Sequence, residues 1–419
     1  MTSRKIHPWL IAPILGILGA VGPLAIDLYL PGMPQITAEL GISEGVGQFS
    51  LMTFLAGLMI GQLFLGPVSD RIGRKPMIIA GMLLFAAASL GCAFVQNGEQ
   101  LLTLRFIQGL GGSIGRVIGM AVVRDLYTGP TAAKLVGMMM LVLGLAPILG
   151  PLLGSTILLF ASWRWIFVFL ALFGLGCIVL VLTLMPETRL PEQRTSSHPV
   201  AAIRNYGMLL FSRQYMPYVA TMALAQAGIY AYLTGSSFVF INIHGVSPTL
   251  YSVIFASNAV GLMIGAQSGP RLLGRFRAET IIRTALATYM LAAVTLLSLE
   301  MAGEMNVVLL SALLFVIIMS IGFILPLCGV MALEAHGKIS GTAAAMMGAC
   351  QFFFGTIAAL VIGLTANGTA IPMAVTIAFA SIAAGITAHW AFPKEAIEED
   401  VDLSTDTLQP VPAESGKWQ

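Results

Sequence analysis

Twelve apolar runs, each near the roughly 20 residues that carry a helix across a bilayer, leave this chain few ways to fold. They begin near residues 9, 46, 76, 101, 132, 163, 213, 249, 279, 306, 339 and 370, and each is bounded by charge or by Pro and Gly clusters. In lipid every backbone amide and carbonyl must be satisfied internally, so only helices and closed barrels span. The runs are too long, and too little alternating, for the ten-residue strands of a barrel. The expected fold class is an all-α polytopic membrane protein. A composition of 57% hydrophobic and 10% charged residues agrees, since a soluble domain holds about one quarter charged.

Several function classes fall away. The net charge is only +2 and no basic stripe interleaved with aromatics occurs, so nucleic acid is not an expected partner. Cys92, Cys177, Cys328 and Cys350 each lie inside an apolar run without C-x-x-C spacing and read as buried small hydrophobes. His7, His198, His244, His336 and His389 fall near loops or span ends, with no metal-ligand spacing. There is no G-x-x-x-x-G-K-[ST] loop to cradle ATP phosphates. No metal, no cofactor and no enzymatic activity are therefore expected. Arg4 and Lys5 precede an apolar stretch that runs past Asp27 to Pro31 without a small-residue cleavage site, so it reads as an uncleaved first helix.

Basic residues set the topology. Of the 21 Lys and Arg, only Arg164 lies on one set of alternating loops, with Arg105 and Arg116 inside a span and the remainder on the other set. The positive-inside rule then puts both termini in the cytoplasm. The longest connection holds Pro186, Pro191, Pro199 and Thr195-Ser196-Ser197 and divides the spans six and six. This gives an N-terminal half over 1–185, a cytoplasmic linker over 186–212, a C-terminal half over 213–392 and an acidic, disordered cytoplasmic tail over 393–419. Gly57-Leu58-Met59-Ile60-Gly61 recurs as Gly261-Leu262-Met263-Ile264-Gly265, each ahead of a basic loop, as in two halves related by an axis along the membrane normal.

The first basic loop, Gly66-Pro67-Val68-Ser69-Asp70-Arg71-Ile72-Gly73-Arg74-Lys75, together with the span count, resembles the signature of the major facilitator superfamily. Further segments are similar to its bicyclomycin and chloramphenicol/florfenicol resistance branch of drug:proton antiporters. These are Ala25-Ile26-Asp27-Leu28-Tyr29-Leu30-Pro31 in the first span, and Arg105-Phe106-Ile107-Gln108-Gly109 and Arg124-Asp125-Leu126-Tyr127 in the fourth. The fifth has an antiporter-type run, Gly144, Pro147, Gly150, Pro151 and Gly154. The resemblance implies a monomeric, multi-pass exporter in a bacterial inner membrane. It would move phenicol- or bicyclomycin-like molecules by multidrug antiport against protons. Arg116 is a departure, because the family motif does not require a second arginine below Arg105.

Asp27 is the one carboxylate well inside a span, where it costs about 2.5 to 3.5 kcal/mol on insertion scales. We read it as the proton-binding group. Arg105 is expected at similar depth, tuning Asp27; a static ion pair between the two helices is the other reading. Arg116 lies eleven residues on from Arg105, on the same face and about 16 Å deeper. Facing the cavity, it would favour neutral polar or anionic substrates; snorkelling to the cytoplasmic edge is the alternative.

Gly66, Asp70, Arg71, Gly73 and Arg74 read as a cytoplasmic gate. Asp70 would accept from the helix N-terminus at Ser340-Gly341-Thr342, whereas a plain positive-inside anchor explains only the basic residues. The fifth-span glycines and prolines permit close approach and bending, as ordinary small-residue packing also would. Tyr29, Arg116, Gln226, Tyr230, Asn258 and Gln351, with Tyr232 and Phe352 to Phe354, are the expected cavity residues, few polar groups amid aromatics. A proton-coupled importer of a small nutrient on the same scaffold is the competing function, and a membrane-embedded enzyme a distant one.

Overall fold

The computed structural model describes residues 8–127, 129–189, 199–334 and 340–392. Every regular element in it is helical, and twelve helices are long and apolar enough to cross a membrane. Each starts within a few residues of its expected position; the start near 339 and the tail lie outside the described residues. The first span is broken into α1 (Pro8–Asp27), a 3-10 turn (Leu30–Gly32) and α2 (Met33–Leu40). Then come α3 (Glu44–Ile72), α4 (Arg74–Cys92), α5 (Gly98–Leu126), α6 (Gly129–Phe160) and α7 (Arg164–Leu184). After the short α8 (Pro199–Leu210) the second half holds α9 (Met216–Ser237, continued by a π-helical turn to Ile243), α10 (Pro248–Leu272) and α11 (Ala278–Ala302). It closes with α12 (Val307–Glu334), α13 (Ser340–Thr365) and α14 (Ile371–Ala391).

One end of the bundle carries Arg71, Arg74 and Lys75 and is called the basic face here. On the opposite face α3, α5 and α10 begin with side-chain caps, Ser43, Asn97 and Ser247 accepting from the amides of Val46, Gln100 and Leu250. These satisfy amides that a helix start leaves without partners. Arg164, the lone basic residue among the loops of that face, pairs with Glu39.

Inside each half, helices approach to backbone contact. Gly57 of α3 lies on the Phe106 carbonyl and the Leu110 amide of α5, and Gly109 returns the contact to the Phe54 carbonyl. The second half repeats this with Gly265 of α10 on Met319 and Phe323 of α12, and Gly322 on the Leu262 carbonyl. The repeated pentapeptide lies on the same seam in both halves: its first glycine, Gly57, and its last, Gly265, hold the matching backbone contacts, while Gly61 packs on Ser113 of α5 and Gly261 on the Phe315 ring of α12.

The halves meet along α3 with α13 and α6 with α10. On the opposite face the seam is tight: Gly45 abuts Gly363, Ser237 donates to the Met33 thioether at 3.8 Å, and Ser252 donates to the Pro151 carbonyl at 2.8 Å. On the basic face, the Arg124 guanidinium lies against Gly341 and the Gln62 side chain against Gly348. The connection between halves is not all loop, because α8 docks there with the Tyr206 hydroxyl donating to the Leu63 carbonyl at 3.2 Å. Residues 190–198 of that connection lie outside the described residues.

Candidate functional site

The break in the first span puts Asp27 where it is. Pro31, four residues on, has no amide to give the Asp27 carbonyl, and the chain tightens as Tyr29 turns back to Ile26 at 3.3 Å. Asp27 therefore ends a half-helix in mid-span, an arrangement that membrane proteins use where backbone lines a cavity. The fifth-span run sits beside it. A methyl on Gly150 would lie 2.7 Å from the Asp27 Cβ, and Gly154 lies on the Leu28 carbonyl. Pro147 of α6 lines the same space, Gly144 faces Met263 of α10, and Pro151 supplies the carbonyl that Ser252 bonds.

A cavity of about 510 Å³ lies between the halves, within the range of drug-sized sites. Asp27, Arg116, Gln226, Tyr230, Tyr232, Asn258 and Phe352 all line it. Its only charged groups among the described residues are Asp27 and Arg116. Gln226 hydrogen-bonds Tyr230, and the Asn258 amide donates to the Tyr232 hydroxyl at 3.0 Å. The Arg116 guanidinium stands 5.9 Å from the Phe352 ring centre.

Four expected cavity residues lie elsewhere, Tyr29, Gln351, Phe353 and Phe354; Phe353 is exposed on the outside of α13 and Phe354 packs against the core. Tyr29 is fully buried within the first half, its hydroxyl 2.5 Å from Ser50 Oγ and its ring 5.7 Å from Phe167. It follows the break, so the chain no longer turns it toward the second half. Gln351 is buried in the packing of α13, while Phe352, about 100° further around the helix, reaches the cavity. Conversely Gln62, Ser113, Phe255 and Gln267 line the cavity and were not singled out from sequence. Uncharged amides inside apolar runs were the available signal for Gln62 and Gln267.

The pairing of Asp27 with Arg105 does not form. Arg105 is fully buried between Tyr29 and Phe54, its guanidinium 4.6 Å and 4.3 Å from their ring centres. It donates to the Ala25 carbonyl at 3.2 Å and to Gln108 at 2.6 Å, and Gln108 donates on to Ser89 at 2.7 Å. Matching depth was right, but residues 25 and 27 point about 200° apart around α1, so Arg105 meets the back of the helix. Arg105, Gln108, Gly112 and Arg116 form one stripe down α5: its upper part is sealed by Tyr29 and Phe54, and its lower part faces the cavity.

On the basic face Asp70 pairs with Arg74 at 2.6 Å rather than with the start of α13, where Gly341 faces Arg124. Asp70 and Arg74 are four residues apart across the junction of α3 and α4, so the partner comes from its own loop. Arg74 is buried and also bonds Asp125 at 3.0 Å and Ser69 at 2.5 Å. Gly73 joins α3 to α4 with φ +115°, a conformation open to glycine. Glu187 receives the amides of Arg74 and Lys75 at 2.9 and 3.2 Å, a carboxylate on the positive end of α4. Gly66 packs on Val117, and Arg71 is exposed.

The sequence model of the Major Facilitator Superfamily matches residues 15–361. The chain is 34% identical over 393 residues to the uncharacterized MFS-type transporter YdgK of Bacillus subtilis, covering 93% of this chain and 97% of that one. It is 30% identical over 378 residues to the bicyclomycin resistance protein homolog of Haemophilus influenzae, covering 86% and 91%. It is 32% identical to the multidrug resistance protein MdtL of Escherichia coli, covering 65% and 69%. The fold is similar to that of a D-xylose-proton symporter, with a TM-score of 0.73 at 15% identity over 91% of this chain and 96% of the other. These matches make it a multi-pass secondary transporter of small molecules and not an enzyme. The chain belongs to the Major Facilitator Superfamily, in the branch that holds bicyclomycin- and multidrug-resistance proteins.

Proposed function

We propose that this transporter is a proton-driven exporter that moves small antibiotics or related amphipathic metabolites, phenicol- or bicyclomycin-like, across a bacterial inner membrane. The observation that carries the reading is Asp27: a buried carboxylate with no ion pair among the described residues, at a helix break, facing the cavity between the halves. A carboxylate so placed binds either a proton or the polar groups of a substrate, and that exclusion is the basis of exchange. Arg105 tunes it at one remove, holding α1 by the Ala25 carbonyl and placing a buried positive charge behind the helix.

The bodies that rock are residues 1–185 and 213–392, joined by 186–212, and the unit is a monomer. The basic face is cytoplasmic by the distribution of Lys and Arg. Asp70, Arg74 and Asp125 fix the rim of the first body, and Arg124 against Gly341 closes it on the second. The Gly45 to Gly363 seam is then the outer gate, shut in this conformation.

The test is drug-dependent proton movement in proteoliposomes with an imposed pH gradient, for wild type and Asp27→Asn. Proton counterflow against the drug, lost in the variant, is expected. Protons entering together with a sugar would make the protein an importer and overturn the direction.

A further inference from the structure

The two basic loops that follow the repeated pentapeptide use their charge differently. In the first, Arg74 is buried on Asp70, Asp125 and Ser69, and the Lys75 ammonium donates to the Leu182 and Met185 carbonyls at 3.1 and 2.7 Å. Of that loop's cations only Arg71 is exposed. In the second, between α10 and α11, Arg271, Arg275 and Arg277 are all exposed. Among the described residues Arg271 and Arg275 form no hydrogen bond or ion pair, and Arg277 reaches Glu279 at 3.9 Å. Counted from the pentapeptide, Gly274 falls where the first half has Asp70, so this loop has no carboxylate at the position that draws the charge inward in the first.

The second loop is a short, held turn: the amides of Arg275 and Phe276 both donate to the Leu272 carbonyl at 2.9 Å. It therefore stays close to the helix ends. α10 and α11 have 25 residues each, about 37 Å of helix, against about 30 Å of hydrocarbon and about 40 to 45 Å with the headgroups. The turn then lies among the headgroups, with phosphates in reach of its guanidiniums. Interleaved with the arginines, Leu273 and Phe276 are 44% and 54% exposed, apolar side chains suited to the upper part of the acyl chains.

We infer that the loop between α10 and α11 is a binding site for an anionic phospholipid. Arg271 and Arg275 take the headgroup phosphate, and Leu273 and Phe276 take the start of the acyl chains. A guanidinium presents a fork of donors that matches phosphate oxygens. A zwitterionic lipid brings its own cation against the arginines and gains less. The inference goes beyond the exporter reading and stands without it, since it depends on neither cargo nor proton.

The experiment is native mass spectrometry of the purified full-length protein, titrated in non-ionic detergent with phosphatidylglycerol or with phosphatidylcholine of the same acyl chains. Wild type is expected to bind phosphatidylglycerol about 25-fold more tightly, about fivefold for each unpaired arginine beside an anionic headgroup. Arg271→Gln combined with Arg275→Gln should bring the two lipids level, whereas Arg71→Gln should keep the preference near wild type. Phe276→Ser should weaken both lipids alike. Inorganic phosphate in large excess should not displace phosphatidylglycerol, because it offers nothing to Leu273 and Phe276. Thermal unfolding checks that each variant folds, and Arg275→Gln alone carries the comparison if the double variant does not.

Equal binding of the two lipids by wild type overturns the site. So does a loss in Arg71→Gln as large as in the double variant, which would make the basic face as a whole the attractant. Displacement by inorganic phosphate would make this a site for a free anion, and the lipid assignment would fall.

Discussion

Replacing Gly45 with alanine should open the opposite face without unfolding the protein. Gly45 begins α3 against Gly363 of α13. A methyl there would press on the Gly363 carbonyl oxygen and sit 3.4 Å from its carbon and 3.6 Å from Ala366 Cβ. The oxygen belongs to helix backbone and cannot rotate aside, so the two helices must part. Overpacking of this kind costs about 1 to 3 kcal/mol. Alanine also favours the first turn of α3 by up to about 1 kcal/mol, but that gain is equal in every conformation that keeps α3 helical. The clash exists only where α3 touches α13. It alone shifts the balance between closed and open, by about 5- to 150-fold. The assay is the distance between spin labels on Gln96→Cys and Thr365→Cys, both exposed on that face, while the four native cysteines are buried. The long-distance population should grow, and transport should slow by a comparable factor. An unchanged distance distribution with wild-type transport would refute the assignment of this seam as a gate.

Arg74→Ala should destabilise the basic rim by about 3 kcal/mol, since among the described residues the mostly buried Asp125 then keeps only Arg189, at 3.7 Å. A thermal unfolding midpoint equal to wild type would contradict this. Gly341→Ala also adds a methyl between the halves, but it meets only the Arg124 guanidinium, the far end of a flexible side chain. The expected cost is under about 0.5 kcal/mol, with transport rates near wild type; a severe loss would mean Arg124 is fixed in place.

What the sequence made legible was whatever depends on depth along a helix. The span count, the isolation of Asp27 and the placement of Arg116 all follow from position in an apolar run. What it hid was azimuth. Asp27 and Arg105 match in depth yet lie on different sides of α1, and of the run Gln351 to Phe354 only Phe352 reaches the cavity. Direction around a helix is set by which neighbours it packs on, and no single run records its neighbours. The break after Asp27 was written in Pro31 and Pro34, whereas Tyr29 moved out of the cavity because of that break. Asp70 and Arg74 are four apart on one loop, so their pairing was available from spacing, and a longer-range partner was expected instead. The contact of Arg124 with Gly341 joins residues far apart in sequence and left no trace in either segment.

The repeated pentapeptide has one more consequence. Gly57 and Gly265 hold equivalent contacts, yet they are the first and last residues of the repeat, so the second copy is offset by four residues, about 6 Å, against its partner helix. A molecule of two identical halves would offer a cargo two equivalent poses, related by rotation about the shared axis. The two walls here are unlike: α3 gives the cavity Leu58 and Gln62, and α10 gives it Phe255, Asn258 and Gln267. A cavity lined in this way offers a cargo no second, equivalent pose by rotation about that axis.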